Sequence, residues 1–356
     1  MKQLRLGPRT LNLPAFFPDA TRGFLRCASA QDAANAGVQG LVMNTYHLLS
    51  SPGPSLVKAA GGLHRFSGWQ GPILTDSGGF QAMSLIAKDS SKGRIDRQGI
   101  TFVDERRGKK VLLTPEKCIA AQLDMGSDII MCLDCCTDPA APDKEQRDAV
   151  ELTIRWAQAC REEFDRRTKG RENKPLLLGI VQGGLDMELR AQCTEGLRPL
   201  GFAGYGFGGW PLDRQGNILY DLLEGTAALM GDEGLRYAMG LGRPEEIVRL
   251  HRAGYDLFDC VIPTREARHA KLYVFNGKAL DQPGFYDPLY INKEAYARDF
   301  RPLDEHCQCE ACCNHNRAFL HHLFAQGDPL GLRLATGHNL AFYARLMERL
   351  GQEHDC

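Results

Sequence analysis

Pro72-Ile-Leu-Thr-Asp-Ser-Gly-Gly-Phe-Gln81 starts as a short apolar run, the pattern of a buried strand, and stops at Asp76-Ser77-Gly78-Gly79. An acid at the tip of a buried strand, followed by glycines that let another molecule approach the backbone, has two readings. One is a capped turn in which Asp76 accepts from the next amides; the other is a site. Outward from this stretch the same unit recurs. Short apolar runs at Pro14–Pro18, Gly40–Asn44, Pro72–Asp76, Asp128–Asp134, Leu176–Gln182, Phe202–Gly209, Leu235–Gly240 and Asp256–Ile262 alternate with helix-patterned segments. Those segments include Ser29–Ala36, Pro115–Leu123, Lys144–Arg167, Asp186–Leu197 and Pro244–Arg252. Eight strands alternating with helices predict an α/β fold, a (β/α)8 TIM barrel, with an open doubly wound sheet as the alternative.

The strand ends carry the chemistry. Asn44-Thr45-Tyr46, Asp76-Ser77, Asp134, Gln182, Gly208-Gly209, Met239-Gly240 and Asp259 fall at or just beyond successive strand ends. In a barrel these ends open onto one mouth, where barrel enzymes place their active sites. Helix capping explains some of these polar tips. The full set is costly to bury unless its members share a ligand or hydrogen-bond partners. Asp76 and Asp259 would stand on the third and eighth strands. Two carboxylates across a cleft suit cleavage at an anomeric carbon, one as nucleophile and one as general acid/base. The same pair could hold a divalent ion, but the rim supplies no H-x-H or comparable histidine set.

Bulk properties bound the options. The chain has 356 residues, enough for one large α/β domain or two smaller ones. Lys and Arg number 43 against 44 Asp and Glu, so any nucleic-acid contact must be a local patch. The 13 cysteines are mostly scattered singly, and neither a signal peptide nor a long apolar span is evident. That usage points to reduced thiols in the cytoplasm and one metal site, with no membrane contact.

The metal signal is Cys307-x-Cys309-x2-Cys312 followed by His338. Three thiolates and an imidazole complete a tetrahedral Zn²⁺ shell with no open position, so the ion would be structural. An apolar helix over Asn316–Ala325 would carry the chain back to present His338; Cys313, His306, His315, His321 and His322 are rival ligands. The expected organisation is a barrel with an N-terminal hairpin over residues 1–275 and a zinc-binding subdomain over 276–345. The end of a C-terminal helix and a tail would follow over 346–356. Zinc would hold together a loop-rich unit short of its own core.

These motifs together resemble one family. Leu74-Thr-Asp-Ser-Gly-Gly-Phe-Gln81, Asn44-Thr-Tyr-His-Leu48, Gly179-Ile-Val-Gln-Gly183, Phe258-Asp-Cys-Val-Ile-Pro-Thr-Arg265 and the Cys3His set are similar to those of the tRNA-guanine transglycosylases, from about residue 13 to residue 345. The resemblance implies a (β/α)8 barrel with a zinc subdomain inserted near its C-terminal end. It also implies exchange of the wobble guanine of tRNAs with GUN anticodons for a 7-deazaguanine base, in queuosine modification, by a homodimer.

Carried over on matching positions, Asp259 is the nucleophile that leaves a covalent aspartyl-ribose intermediate, and Asp76 the general acid/base. Ser77, Asp134, Gln182 and the Gly209 amide would read the guanine-like edge. Phe80 and Met239 would sandwich the flipped base, although ordinary core packing also explains them. Arg265 and Arg268 would hold RNA beside the reacting nucleotide. Other basic runs, Arg106-Arg107-Gly108-Lys109-Lys110 and Arg166-Arg167-x-Lys169, read better as solvated charge.

The chain also departs from the family pattern. Phe80 replaces a common Tyr, Cys135 replaces an acid after Asp134, and Trp210-Pro-Leu-Asp-Arg214 replaces Leu-Ala-Val-Gly-Glu. The last two changes fall where the family handles the 7-substituent, so aminomethyl-deazaguanine, queuine and other 7-deazaguanines all stay open. Two further readings stand beside the main one. One is an enzyme inserting a 7-deazaguanine into DNA or another RNA; the other is a non-catalytic RNA-binding partner subunit, which retention of both Asp76 and Asp259 disfavours.

Overall fold

A computed structural model describes residues 2–104, 106 and 108–353. The expected strands form as β1 (Ala15–Pro18), β2 (Leu41–Met43), β3 (Ile73–Thr75), β4 (Ile129–Met131), β5 (Leu176–Val181), β6 (Gly204–Phe207), β7 (Leu235–Ala238) and β8 (Leu257–Cys260). They make one eight-stranded sheet in the order β1-β8-β7-β6-β5-β4-β3-β2. Its ladders are parallel. A parallel bridge between Asp19 and Val42 joins β1 to β2, with the Ala20 N–H donating to the Val42 carbonyl at 2.8 Å. The sheet is therefore a barrel and not the open alternative.

Side-chain alternation explains the two sides of the wall. Ala15, Phe17, Val42, Leu74, Ile129, Met131, Leu178, Ile180, Leu235, Tyr237 and Leu257 pack together inside the ring. Their neighbours Phe16, Leu41, Ile73, Ile130, Val181, Ala238 and Phe258 join the outer cores beneath the helices. The outer helices start where the sequence supplies caps. Ser29 and Asp32 form a capping box at Ala30–Asn35, Thr114 caps Pro115–Met125, and Asp186 caps Met187–Leu197.

The opening hairpin, Lys2–Leu6 paired with Arg9–Leu13, plugs the end away from the mouth with Leu6, Leu11 and Leu13. Asp128 ties it down, accepting from Arg9 Nη1 at 3.1 Å and from the Ile73 N–H at 2.8 Å, with His64 Nε2 at 3.0 Å. A three-stranded antiparallel sheet of Gly93–Asp96, Gly99–Asp104 and Lys109–Leu113 stands beside the barrel. Arg107, within the basic run at its tip, lies outside the described residues.

The C-terminal part begins with the hairpin Lys271–Phe275 and Tyr286–Tyr290, and continues through helices Glu310–Asn314 and Arg317–Gln326. The last helix, Pro329–Glu353, runs unbroken through residue 345 and lies against the barrel. Tyr343 stacks near Phe16 with ring centroids 4.6 Å apart and donates to the Gly242 carbonyl at 2.6 Å. Asn339 donates to the carbonyls of Pro263 and Lys271, both at 3.0 Å, and accepts from the Tyr273 N–H at 3.2 Å.

Asn339 is fully buried, and truncation would strand three backbone groups. Asn339→Ala is expected to lower stability by roughly 2–4 kcal/mol, read as the shift in urea midpoint at unchanged slope. A change within experimental error would show that the Asn339 hydrogen bonds add nothing net to the docking of the helix.

Candidate active site

Strand periodicity aims the polar tips inward. Asp76 follows the interior residue Leu74 by one period, Asp259 follows Leu257, Gln182 follows Ile180, and Met239 follows Tyr237. The mouth thus gathers the acids that the sequence places on separate strands.

Asp76 is half-buried and held by neutral donors. Its Oδ1 accepts from the Thr45 N–H at 2.9 Å and the Gly78 N–H at 3.1 Å, and its Oδ2 accepts from Asn44 Nδ2 at 2.5 Å. Gly78 permits this turn: its φ is +75°, and a Cβ there would stand 2.6 Å from the Tyr46 nitrogen. The capped-turn reading and the site reading of this stretch therefore describe the same atoms. Desolvation, reinforced by the Asp259 charge, pushes the Asp76 carboxyl up to about 7 against the pull of its hydrogen bonds.

Asp259 stands across the mouth, its Oδ1 accepting from the Tyr237 hydroxyl at 2.7 Å and the Gly240 N–H at 2.6 Å. Burial raises its pKa to about 6, and the Asp19 charge adds to the rise. Sequence reasoning missed Tyr237, although its place two residues before Met239 on an interior face was a usable signal.

Asp134, Ser77 and Gln182 are buried together. Gln182 Nε2 donates to Asp134 Oδ2 at 2.6 Å, and Ser77 Oγ lies 3.4 Å from Asp134 Oδ1. Desolvation lifts the Asp134 carboxyl to about 6. The result is a recessed acceptor fixed by a carboxamide, suited to a ligand edge that presents adjacent N–H donors.

Phe80 is 39 % exposed, and its ring lies 5.2 Å from the exposed ring of Trp210. The two aromatics form a lip at the mouth. Met239 is half-buried, its sulfur crossing Gly206, where a Cβ would meet it at 2.8 Å. Gly209 follows β6 beside Gln182.

Of the basic residues, Arg265 is exposed, and Arg268 Nη1 donates to the Thr264 carbonyl at 2.8 Å. Burial and the charge of Arg26 lower the Arg268 pKa, so these cations share one rim. Arg22 is likewise close enough to His47 to depress its pKa, after burial. Arg22, Phe24 and Arg26 are exposed on the loop after β1, a basic and aromatic patch the sequence reading missed despite its alternation. Arg166 and Arg167 instead pair with Glu163 on their own helix.

Away from the mouth, Cys307, Cys309, Cys312 and His338 are buried, with ligand atoms all within 4.8 Å of one another. His338 Nδ1 lies 3.3 Å from Cys312 Sγ and 3.7 Å from Cys309 Sγ, while Nε2 faces the Tyr273 carbonyl at 2.9 Å. That carbonyl requires Nε2–H, which leaves the Nδ1 lone pair for a metal. The cluster could hold a metal ion. The rival residues lie elsewhere: His306, His322 and Cys313 are exposed, His315 stacks on Phe319, and His321 bonds the Ile291 carbonyl.

A family model described as queuine tRNA-ribosyltransferase matches residues 1–353. The chain belongs to that family. Proteins named queuine tRNA-ribosyltransferase from Pseudoalteromonas translucida and Idiomarina loihiensis are each 40% identical to it. The first alignment covers 96% of this chain and 85% of the relative, the second 98% and 88%. A protein of the same name from Vibrio atlanticus is 39% identical over 99% of this chain and 89% of its own length. Membership places the chain among pentosyl-transferring enzymes. Among the described residues, no helix is long and apolar enough to cross a membrane.

The raised Asp76 pKa has a measurable sign. Between the unfolded value of 3.8 and the folded value of about 7, the native state binds more protons, so this group costs stability progressively as pH rises through that window. The melting-temperature difference, Asp76→Asn minus wild type, is expected to grow more positive from pH 5 to pH 8. After discounting for solvent at the mouth, the change is roughly 1–2 kcal/mol, or ~1–3 °C for a chain of this length. A difference that stays flat across this range would overturn the assignment of a raised pKa.

Proposed function

We propose that this chain is a tRNA-guanine transglycosylase that replaces the wobble guanine of GUN anticodons with a 7-deazaguanine, in the cytoplasm. The observation that carries this reading is the facing pair Asp76 and Asp259, electrostatically linked in one mouth beside the Asp134–Gln182 acceptor. Family membership supplies the substrate class.

An Asp259 carboxylate oxygen attacks C1′ of the wobble ribose, the C1′–N9 bond breaks, and its electron pair leaves with guanine. Protonated Asp76 supplies the proton that neutralises the departing base. The Asp76 carboxylate then takes the N9 proton of the incoming 7-deazaguanine. That nitrogen attacks C1′ and displaces Asp259, restoring both carboxyl groups. Pentosyl transfer between two bases is balanced without a redox cofactor. A folded pKa of about 7 for Asp76 suits a group that gives and takes a proton near neutrality. The Tyr237 hydroxyl and Gly240 N–H hold Asp259 at a fixed angle.

Asp134 accepts from N1–H and the exocyclic amine of the base, with Gln182 and Ser77 holding its carboxylate. Phe80 and Met239 bracket the ring. The exposed Arg265 and half-buried Arg268, with the exposed Arg22 and Arg26 beyond them, suit a single-stranded loop whose base has left its stack. Trp210 stands against Phe80 where the incoming 7-substituent would emerge, which favours a base whose substituent tolerates an aromatic wall. A homodimer is proposed on family grounds.

Wild type is expected to exchange labelled guanine into a GUN-anticodon tRNA, with 7-deazaguanines competing. Asp259→Ala is expected to lose at least a thousandfold in rate and to form no denaturant-resistant protein–RNA adduct. Exchange persisting in Asp259→Ala would reject the nucleophile. Exchange only into DNA or another RNA would favour the paralogue reading. No exchange by folded wild type, with tRNA still bound, would favour the partner-subunit reading.

We assign Zn²⁺ to the Cys3His cluster. Tetrahedral coordination with ~2.3 Å Zn–S bonds needs ligand atoms roughly 3.8 Å apart, which this cluster matches with little movement. The zinc is structural, joining the segment around Cys307 to the last helix. Purified protein is expected to carry one zinc per chain by elemental analysis, and Cys309→Ser to lose it together with several degrees of thermal stability. Stoichiometric zinc in Cys309→Ser would move the site elsewhere.

A further inference from the structure

Arg190 is fully buried on the helix Met187–Leu197, and it forms no ion pair with a carboxylate among the described residues. Its guanidinium is solvated by carbonyl oxygens instead. Nη1 donates to Val181 at 3.2 Å, Nε and Nη2 both donate to Gly184 at 3.1 and 2.7 Å, and Nη2 also donates to Gly208 at 3.1 Å. The guanidinium carbon lies 4.2 Å from the Phe207 ring centroid. One cation thus ties together the ends of β5 and β6, the strands that precede Gln182 and Gly209.

A cation this deep is expensive to desolvate, and burial lowers its pKa to about 10, which leaves it charged at neutral pH. An apolar side chain could fill the space without that cost, so the carbonyl ring calls for a role. Peptide planarity supplies one. In a trans peptide the C=O and the following N–H point in opposite directions. Fixing the Gly208 carbonyl on Arg190 therefore aims the Gly209 N–H away from the guanidinium, and that N–H has no acceptor among the described residues. Glycine at 208 allows the close fit, since a Cβ there would meet Gln182 Nε2 at 2.6 Å. The neighbouring reader, Gln182, is fixed by the same assembly, because the Gly208 N–H donates to the Val181 carbonyl at 3.0 Å.

We propose that Arg190 is a positioning residue for base recognition: it locks the Gly208–Gly209 peptide so that the Gly209 N–H reads O6 of the base. The proposal rests on the transglycosylase reading. The atom follows from chemistry, since an N–H reads only an acceptor. Guanine offers O6 and N7 on that side, and a 7-deazaguanine lacks N7. A site that takes both bases can use only O6. Asp134 reads the donors of the base, and Arg190, through Gly209, reads its acceptor.

The test uses the full-length, zinc-loaded enzyme in guanine exchange with three free bases as substrates or competitors. 6-Thioguanine keeps the donors and weakens the acceptor at position 6, whereas hypoxanthine keeps O6 and lacks the exocyclic amine. In Arg190→Met the KM for guanine is expected to rise about tenfold, with a smaller change in the KM for tRNA. The preference for guanine over 6-thioguanine should collapse toward unity, while the preference over hypoxanthine, set by Asp134, should persist. Arg190→Lys, which keeps the charge but reaches fewer carbonyls, should fall between.

Folded variants that lose rate yet keep the wild-type guanine/6-thioguanine ratio would overturn the proposal, as would both preferences falling in parallel. Failure of both variants to fold would assign Arg190 to the core and overturn it as well. Wild type run alongside tests the underlying reading separately: if wild type exchanges no guanine, the transglycosylase reading itself fails.

Discussion

The mouth depends on ring closure. With strand side chains alternating at a period of two, each strand presents one face to the interior, and only a closed sheet makes those faces converge. The Asp19–Val42 bridge supplies that closure between β1 and β2, the strands at the ends of the sheet order. Leu74 and Leu257 fill the interior, and the next residues on the same faces are Asp76 and Asp259. The packing that builds the core thus also delivers two carboxylates to one opening. An open sheet would leave β2 and β1 at opposite edges, with Asp76 and Asp259 far apart.

Closure alone would leave the acids poorly tuned. None of Asp76, Asp134 and Asp259 has a cation within ion-pair reach among the described residues; amides, two hydroxyls and carboxamides hold them. A guanidinium in any of those places would pull the pKa down and fix the carboxylate as a permanent anion. Neutral donors fix orientation while burial still lifts all three groups. The arginines nearby are kept from them in two ways. Arg22, Arg26, Arg265 and Arg268 stand on or near the outer rim, and Arg190 is turned into a ring of carbonyls. Under the proposed reading, the rim meets phosphates and the interior meets the base.

The barrel was legible because its signals were local and repeated: apolar runs, polar tips and helix caps at matching intervals. The Cys3His cluster was legible because thiol spacing is restrictive, and the rival histidines could be separated only once their exposure and partners were visible. What the sequence hid was held by relations across the chain. Tyr237 reads as one more core aromatic until β8 brings Asp259 beside it. Arg190 reads as a helix residue among charged neighbours until β5 and β6 turn carbonyls toward it. The Phe80–Trp210 lip joins residues far apart in the chain, and no pattern within either segment announces the contact. The short helices Thr45–Ser50, Pro54–Ala59 and Leu63–Ser67 carry too few turns for periodicity to reveal.

The metal cluster, remote from the mouth in sequence, reaches the site through one helix. His338 faces the thiols with Nδ1 and the Tyr273 carbonyl with Nε2, so a cation on the first nitrogen makes the second a stronger donor. The adjacent residue, Asn339, grips the Tyr273 N–H from the same helix and the carbonyls of Lys271 and Pro263. Pro263 lies in the helix Ile262–Arg268, which begins just after Asp259 and carries Arg265 and Arg268. An ion held there would thereby steady the backbone that follows the proposed nucleophile and presents the proposed RNA contacts. Metal loading should therefore influence how tRNA is held more than how a free base is bound, since the proposed base readers Asp134, Gln182 and Gly209 hang from β4, β5 and β6, whereas the helix Pro329–Glu353 packs chiefly on the helix Ile262–Arg268, the metal-cluster segment and β1.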